Sequence, residues 1–325
     1  MFQPPEEIAA DDPELAQLLG ACWRGDLTLI AQLLGRRPAL AKAHGPGGST
    51  ALHVAAQCND PQLIVLLLAS GGDPNARYGG SGHTPLSWAV TCNSTECAKT
   101  LVEYGAKLDF FCAAGMGAIE EVRAFFDESG TLHPGASQTG SSRVTTDGTR
   151  LPCPPQSPVE LVSDALYFAC RNGHTEVARF LLDRGADLSF RSYMGGTALH
   201  WAYFSGSRAL IEMLERAGAD GGARDDSLGC TPRAFAICAP INWGFLELVR
   251  KRLIEDPTLA NLMDGRTSPL HEAARAGHAA IVQLLLAAGA DPALRDGAGK
   301  TALEVAGEAG HAGVVELLGG DGRNR

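Results

Sequence analysis

Thr197, Thr231, Ser268 and Thr301 each open the same short pattern, and they stand 34, 37 and 33 residues apart. No other feature constrains the fold as strongly. Self-similarity at a period of roughly 20 to 50 residues marks a chain built by stacking one supersecondary unit. The copies read STALHVAAQCNDPQLIVLLLASGGDPNAR from Ser49, HTPLSWAVTCNSTECAKTLVEYGAKLD from His83 and GTALHWAYFSGSRALIEMLERAGAD from Gly196. They continue as CTPRAFAICAP from Cys230, SPLHEAARAGHAAIVQLLLAAGADPALRD from Ser268 and KTALEVAGEAGHAGVVELL from Lys300.

Each copy has a local physical logic. Thr or Ser serves as N-cap, its hydroxyl accepting a free backbone N–H of the first turn. Pro85, Pro232 and Pro269 follow at the first helical position, where proline gives up no hydrogen bond. The small residues of LHVAA and LHEAA let neighbouring helices approach closely. Gly or Asn closes this first helix at Asn59, Asn93, Gly173, Gly206 and Gly277. A second helix carries paired apolar residues one turn apart, as in IVQLLL, and GADPALRDGAGK reads as a turn-rich finger leading to the next cap.

The T-P-L-H-x-A-A-x-x-G-H pattern, followed by I-V-x-x-L-L and G-A-D, resembles the ankyrin repeat over almost the whole chain. The resemblance implies an all-α solenoid of about nine helix pairs with β-turn fingers. The pairs begin near Glu14, Thr50, Thr84, Leu108, Val162, Thr197, Thr231, Ser268 and Thr301. The expected layout is a tail over 1–13, repeats one to four over 14–126, a Ser/Gly/Pro-rich insertion over 127–160, repeats five to nine over 161–319, and a tail over 320–325. The first, fourth and fifth units depart from the pattern; GAKLDFFCAAGMGAIEEVRAFF enters its helix with no finger.

His271, Glu272 and His278 put two histidines and a carboxylate within one short stretch, which raises the question of a zinc site. The zinc-hydrolase pattern is H-E-x-x-H, with both imidazoles on one helical face. Here the second histidine comes seven residues later and directly after Gly277, a helix-ending residue. The period removes the remaining case for a metal. The resemblance makes His53, His200 and His271 structural histidines that bond a neighbouring repeat's loop, while His174, His278 and His311 stand at second-helix starts.

Composition narrows the function further. A net charge of -10 opposes the counterion release that drives most nucleic-acid binding, so DNA and RNA are not expected partners. The longest strongly apolar run, Leu63 to Ala69, is far short of the roughly 20 residues a membrane span needs. Nine cysteines with no C-x-x-C pair read as reduced thiols, and the acidic start MFQPPEEIAADD reads as a cytoplasmic chain rather than a targeting peptide. No cofactor, metal or catalytic residue is expected.

The variable positions of first helices and fingers are where a partner would be read. The residue after the histidine slot is Trp88, Phe168, Trp201 and Phe235 in the middle units, and three further along come Arg171, Phe204 and Arg275. Tyr193 and Met194 lie in the finger before Trp201. Together these nine residues are the candidate binding set. Two readings of the aromatic slot stand side by side: a contiguous patch that calls for a partner, or side chains packed between adjacent first helices. Trp243, in CAPINWG, is read either as the plug of an enlarged turn or as a contact. Arg77, Arg191, Arg224 and Arg295 recur at one finger position and form a candidate basic ladder.

The expected function is a cytoplasmic, non-catalytic scaffold that binds a partner protein through a concave groove. The alternative is a small-molecule or catalytic role, with His83, Arg171, Asp226 and Arg275 as its polar groups and the 127–160 insertion as a lid.

Overall fold

The structure is a computed structural model that describes residues 12–79, 82–136, 156–191, 195–265 and 267–320. The chain divides into two compact units, residues 1–193 and 194–325. Among the described residues the regular structure is helical, with one isolated antiparallel bridge between Phe126 and Leu132.

Among its described residues the first unit holds ten α-helices: α1 (Pro13–Arg24), α2 (Leu27–Arg36), α3 (Ala51–Cys58), α4 (Pro61–Ala69), α5 (Pro85–Thr91), α6 (Thr95–Glu103), α7 (Phe110–Met116), α8 (Ile119–Arg123), α9 (Pro158–Asn172) and α10 (Thr175–Asp183). Each odd-numbered helix packs against the even-numbered one that follows it, and α1, α3, α5, α7 and α9 also pack on one another in that order. The second unit repeats the scheme with α11 (Ala198–Ser205), α12 (Arg208–Arg216), α13 (Pro232–Asn242), α14 (Leu246–Glu255), α15 (Pro269–Ala276), α16 (Ala279–Ala287), α17 (Ala302–Glu308) and α18 (Ala312–Gly320). First helices α11, α13, α15 and α17 again pack in sequence.

The helix starts obey the capping logic of the sequence. Thr50, Thr84, Thr197, Thr231, Ser268 and Thr301 are all N-caps with extended backbone, and Pro85, Pro232 and Pro269 open their helices. The first helices bury the small pairs, Ala55–Ala56 and Ala273–Ala274 being fully covered, while Leu52 and Leu270 fill the layer behind them. Second helices bury one stripe, as Ile281, Val282 and Leu285 do on α16.

Three features differ from the sequence expectation. Helix α9 starts at Pro158, ahead of Val162 and inside the expected insertion, because Ser157 and Glu160 form a reciprocal capping box. The stretch CAPINWG is not an enlarged turn: Cys238 to Asn242 continue α13 with Pro240 inside it. The helix survives because Trp243 still donates to the Ala239 carbonyl at 3.1 Å and Phe245 to the Pro240 carbonyl at 2.8 Å. Short 3₁₀ turns at Pro38–Lys42 and Pro257–Asn261 follow α2 and α14, since a residue before proline is driven out of the helical region. Of the expected insertion, residues 137–155 lie outside the described residues, and so does any test of a lid there.

Candidate functional site

Three periodic histidines each tie a first helix to the next finger. His53 accepts the Thr50 N–H at Nδ1 (3.2 Å) and reaches the His83 carbonyl through Nε2 at 3.0 Å. His200 does the same with Thr197 (3.1 Å) and the Cys230 carbonyl (3.1 Å), and His271 bonds the Ser268 hydroxyl (2.7 Å) and the Lys300 carbonyl (2.9 Å). All three rings are buried. Desolvation holds the His53 ring down to a pKa of about 4, against the pull of the His83 carbonyl, so it is neutral at pH 7. The second set reaches back to the turn of the preceding first helix. His174 bonds the Gly115 carbonyl (2.9 Å), His278 that of Asn242 (3.5 Å) and His311 that of Arg275 (3.0 Å). Among the described residues, no group of three or more His, Cys, Asp or Glu side chains is arranged to hold a metal ion.

The aromatic slot divides by burial. Trp201 and Phe235 are fully buried, their ring centroids 5.1 Å apart, and Phe168 is 8% exposed against Tyr167 and Phe111. These three are core side chains: the position after the histidine faces the adjacent first helix, so the packing reading holds for them and a contact role does not. Trp88 is half-buried between His53 (5.4 Å) and Tyr78 (5.3 Å).

Phe204 and Trp243 stay half-exposed beside the buried pair in the second unit. Trp243 stacks on Trp201 at 6.1 Å with planes 17° apart, and Phe204 meets Trp201 at 5.3 Å and Trp243 at 5.5 Å. Phe245 extends the group at 5.6 Å from Trp243. Trp243, the C-cap of α13, thus packs on the buried pair with part of its ring exposed, and there is no enlarged turn for it to plug. Arg275 is exposed and pairs with Glu272 on its own helix at 2.6 Å, while the half-buried Arg171 donates to the Tyr167 hydroxyl at 3.1 Å. Tyr193 and Met194 lie outside the described residues.

The finger arginines are occupied where their bonds are seen. Arg224 donates to the Gly229 carbonyl within its own finger and to Asp264 of the next one (3.2 Å), and Arg295 donates to the Gly299 carbonyl within its own finger (2.6 Å). Arg77 and Arg191 are exposed. In the Gly-rich stretches that begin at Gly45 and Tyr78, Gly47 and Gly48 pack backbone to backbone against Gly79. A Cβ at Gly48 would lie 2.5 Å from the Gly79 nitrogen, and the Gly79 N–H donates to the Gly47 carbonyl at 2.8 Å.

A small pocket in the first unit is lined by His83, Asp109, Cys112 and Phe168 among others, with room for little more than about one water molecule. Of the four polar groups of the alternative reading, His83 is the one that lines it. Eight cysteines among the described residues are free thiols. Burial pushes the Cys22 thiol up to about 12 and the Cys58 thiol up to about 11, which keeps both protonated near neutral pH.

Asn172 was not foreseen from the sequence. Its amide nitrogen donates to the Val90 carbonyl (2.9 Å) and to the Gly115 carbonyl (2.7 Å), so one side chain joins α9 to α5 and α7. The only signal was its place before Gly173-His174, where the two other Gly-His units carry Ala276 and Ala309.

Among the described residues, no helix is long and apolar enough to cross a membrane. A family model described as ankyrin repeats (3 copies) matches residues 18–112, 155–225 and 234–324. The ankyrin repeat domain-containing protein SAT10 of Stachybotrys chartarum is 26% identical over 229 residues, which is 63% of this chain and 12% of that protein. The probable E3 ubiquitin-protein ligase XBOS33 of Oryza sativa is 32% identical over 141 residues, 39% of this chain and 25% of that one. The putative ankyrin repeat protein FPV230 of fowlpox virus is 25% identical over 194 residues, 58% of this chain and 93% of its own length. The first two are thus matched over a quarter of their length or less, whereas the viral protein is matched almost throughout. The periodic caps, the two histidine sets and the family match over most of its length place this chain in the ankyrin-repeat family.

Proposed function

We propose that the chain is a non-catalytic scaffold that holds a partner protein against the first helices and fingers, in a reducing compartment such as the cytoplasm that suits its free thiols. Ankyrin repeats generally mediate protein–protein interactions, and this fold brings no reaction of its own. The observation that carries the reading is the α11–α14 aromatic group. Trp201 and Phe235 are locked in the core, and Phe204 and Trp243 rest on them with part of each ring exposed. A rim aromatic whose rotamer is fixed from behind loses little entropy on contact, which is the economy of a preorganised binding surface. Large aromatics on a rigid base are also the residue type that dominates binding energy in protein interfaces.

The exposed Arg275 and the half-buried Trp88 and Arg171 are the other candidate contacts among the described residues. The test is capture of partners from source-cell lysate, followed by titration of any stoichiometric partner against the wild type and Phe204→Ala. A loss of tenfold or more supports the reading. An affinity unchanged within error removes Phe204 from the site.

A further inference from the structure

The α13–α14 pair lacks both repeat histidines, and in each case a residue from elsewhere makes the missing bond. In every other described first helix that opens on Thr or Ser, the side chain at the third helical position bonds the N-cap residue. His53, Ser87, Glu160, His200, His271 and Glu304 do so. In α13 that position is Ala234, which has nothing to offer. Asp264, from the finger that follows α14, fills the gap: its carboxylate accepts the Thr231 N–H at 2.9 Å and the Thr231 hydroxyl at 3.0 Å. It also accepts from Arg224 at 3.2 Å.

The second histidine slot of this pair holds Phe245, the N-cap of α14. Elsewhere that histidine bonds the carbonyl two residues before the glycine closing the preceding first helix, as His174, His278 and His311 do with Gly115, Asn242 and Arg275. The corresponding carbonyl of α11 belongs to Phe204, two residues before Gly206. It is taken by Nη2 of Arg252. Arg252 stands seven residues after its N-cap, the place that Leu214 and Leu285 fill in α12 and α16, and it is 4% exposed. Where α12 and α16 carry a buried leucine, α14 carries a cation whose other amino group pairs with Glu255.

We propose that Asp264 and Arg252 are inter-repeat struts, Asp264 taking over the N-cap bond of the absent first histidine and Arg252 the carbonyl bond of the absent second one. They hold the α13–α14 pair to both neighbours while positions 234 and 245 carry apolar side chains. The exchange lets Phe245 join Trp243 and Phe204 at the aromatic rim, and it stands whether or not that rim is the partner's contact. A carboxylate and a guanidinium suit these posts because charge-assisted bonds are about twice as strong as neutral ones, which offsets their longer reach.

The test is a rescue experiment on the full chain. Amide exchange at Thr231 reads the first strut directly. Asp264→Ala should speed it about tenfold, adding Ala234→His should bring it back within about threefold, and Ala234→His alone should leave it unchanged. For the second strut, Arg252→Leu places a residue that the slot accepts in α12 and α16. It should make urea unfolding easier, and Phe245→His should restore the midpoint in that background alone. If Asp264→Ala unfolds the second unit outright, Asp264→Asn, which keeps one acceptor oxygen, carries the same comparison. Exchange at Thr231 that ignores Asp264, or histidines whose effects are the same with and without the struts, would overturn the proposal.

Discussion

His53 donates from Nε2 to the carbonyl oxygen of His83, 3.0 Å away and thirty residues along the chain, while its Nδ1 accepts from Thr50. Acceptance at Nδ1 needs the neutral ring, and burial lowers its pKa from 6.5 to about 4. The unfolded chain therefore takes up a proton at this ring in a range where the folded one does not. The stability the neutral ring contributes is whole above pH 6.5 and drains away as pH falls toward 4. The linked loss is on the order of 3 kcal/mol at full titration. Urea midpoints recorded from pH 7.5 to 4.5 should fall, and His53→Gln, less stable at pH 7.5, should show a shallower decline.

Trp201 and Phe204 separate core from surface. Trp201→Ala should cost about 3 to 5 kcal/mol, the usual range for emptying a buried aromatic site. Phe204→Ala should cost clearly less and leave the thermal transition cooperative. Equal losses at the two positions would mean that Phe204 is core as well.

Asn172→Ala leaves the Val90 and Gly115 carbonyls without the amide they share. Losing a buried hydrogen-bonding partner costs about 1 to 3 kcal/mol. Asn172→Ser should recover little, because a hydroxyl carries one donor and does not span both acceptors. Chemical unfolding of the three proteins checks the order.

Gly48→Ala sets a Cβ against the Gly79 backbone at a residue with φ of 82°, so strain and collision act together. The expected destabilisation is roughly 1 to 3 kcal/mol, read from thermal unfolding. Gly35→Ala, with nothing within 4 Å of the added carbon, serves as the control and should be neutral or stabilising.

The sequence spoke clearly wherever structure is local. Thr197, Thr231 and Thr301 announce their helices because an N-cap acts on amides two or three residues away, and the histidines repeat because their partners do. It was mute on burial inside a periodic slot. Trp201, Phe235 and Glu272 all follow the histidine position, yet the first two are buried and the third is not, since burial depends on which residue of the next helix faces them. Replacement across the fold was equally hidden. Nothing near Ala234 points to Asp264, 30 residues away, and Arg252 looks like one more charge on a polar helix until its carbonyl partner is seen. The stretch CAPINWG, expected to enlarge a turn, instead continues α13 with Pro240 inside it, packed on both sides.

The binding proposal meets its most direct test in one titration. A captured partner is measured against the wild type, a Phe204→Ala/Arg275→Ala variant on the first-helix side, and a Val65→Ser/Arg179→Ala variant on the exposed second-helix surface. Binding through first helices and fingers predicts at least a tenfold loss for the first variant and none for the second. Loss confined to the second-helix variant would contradict it.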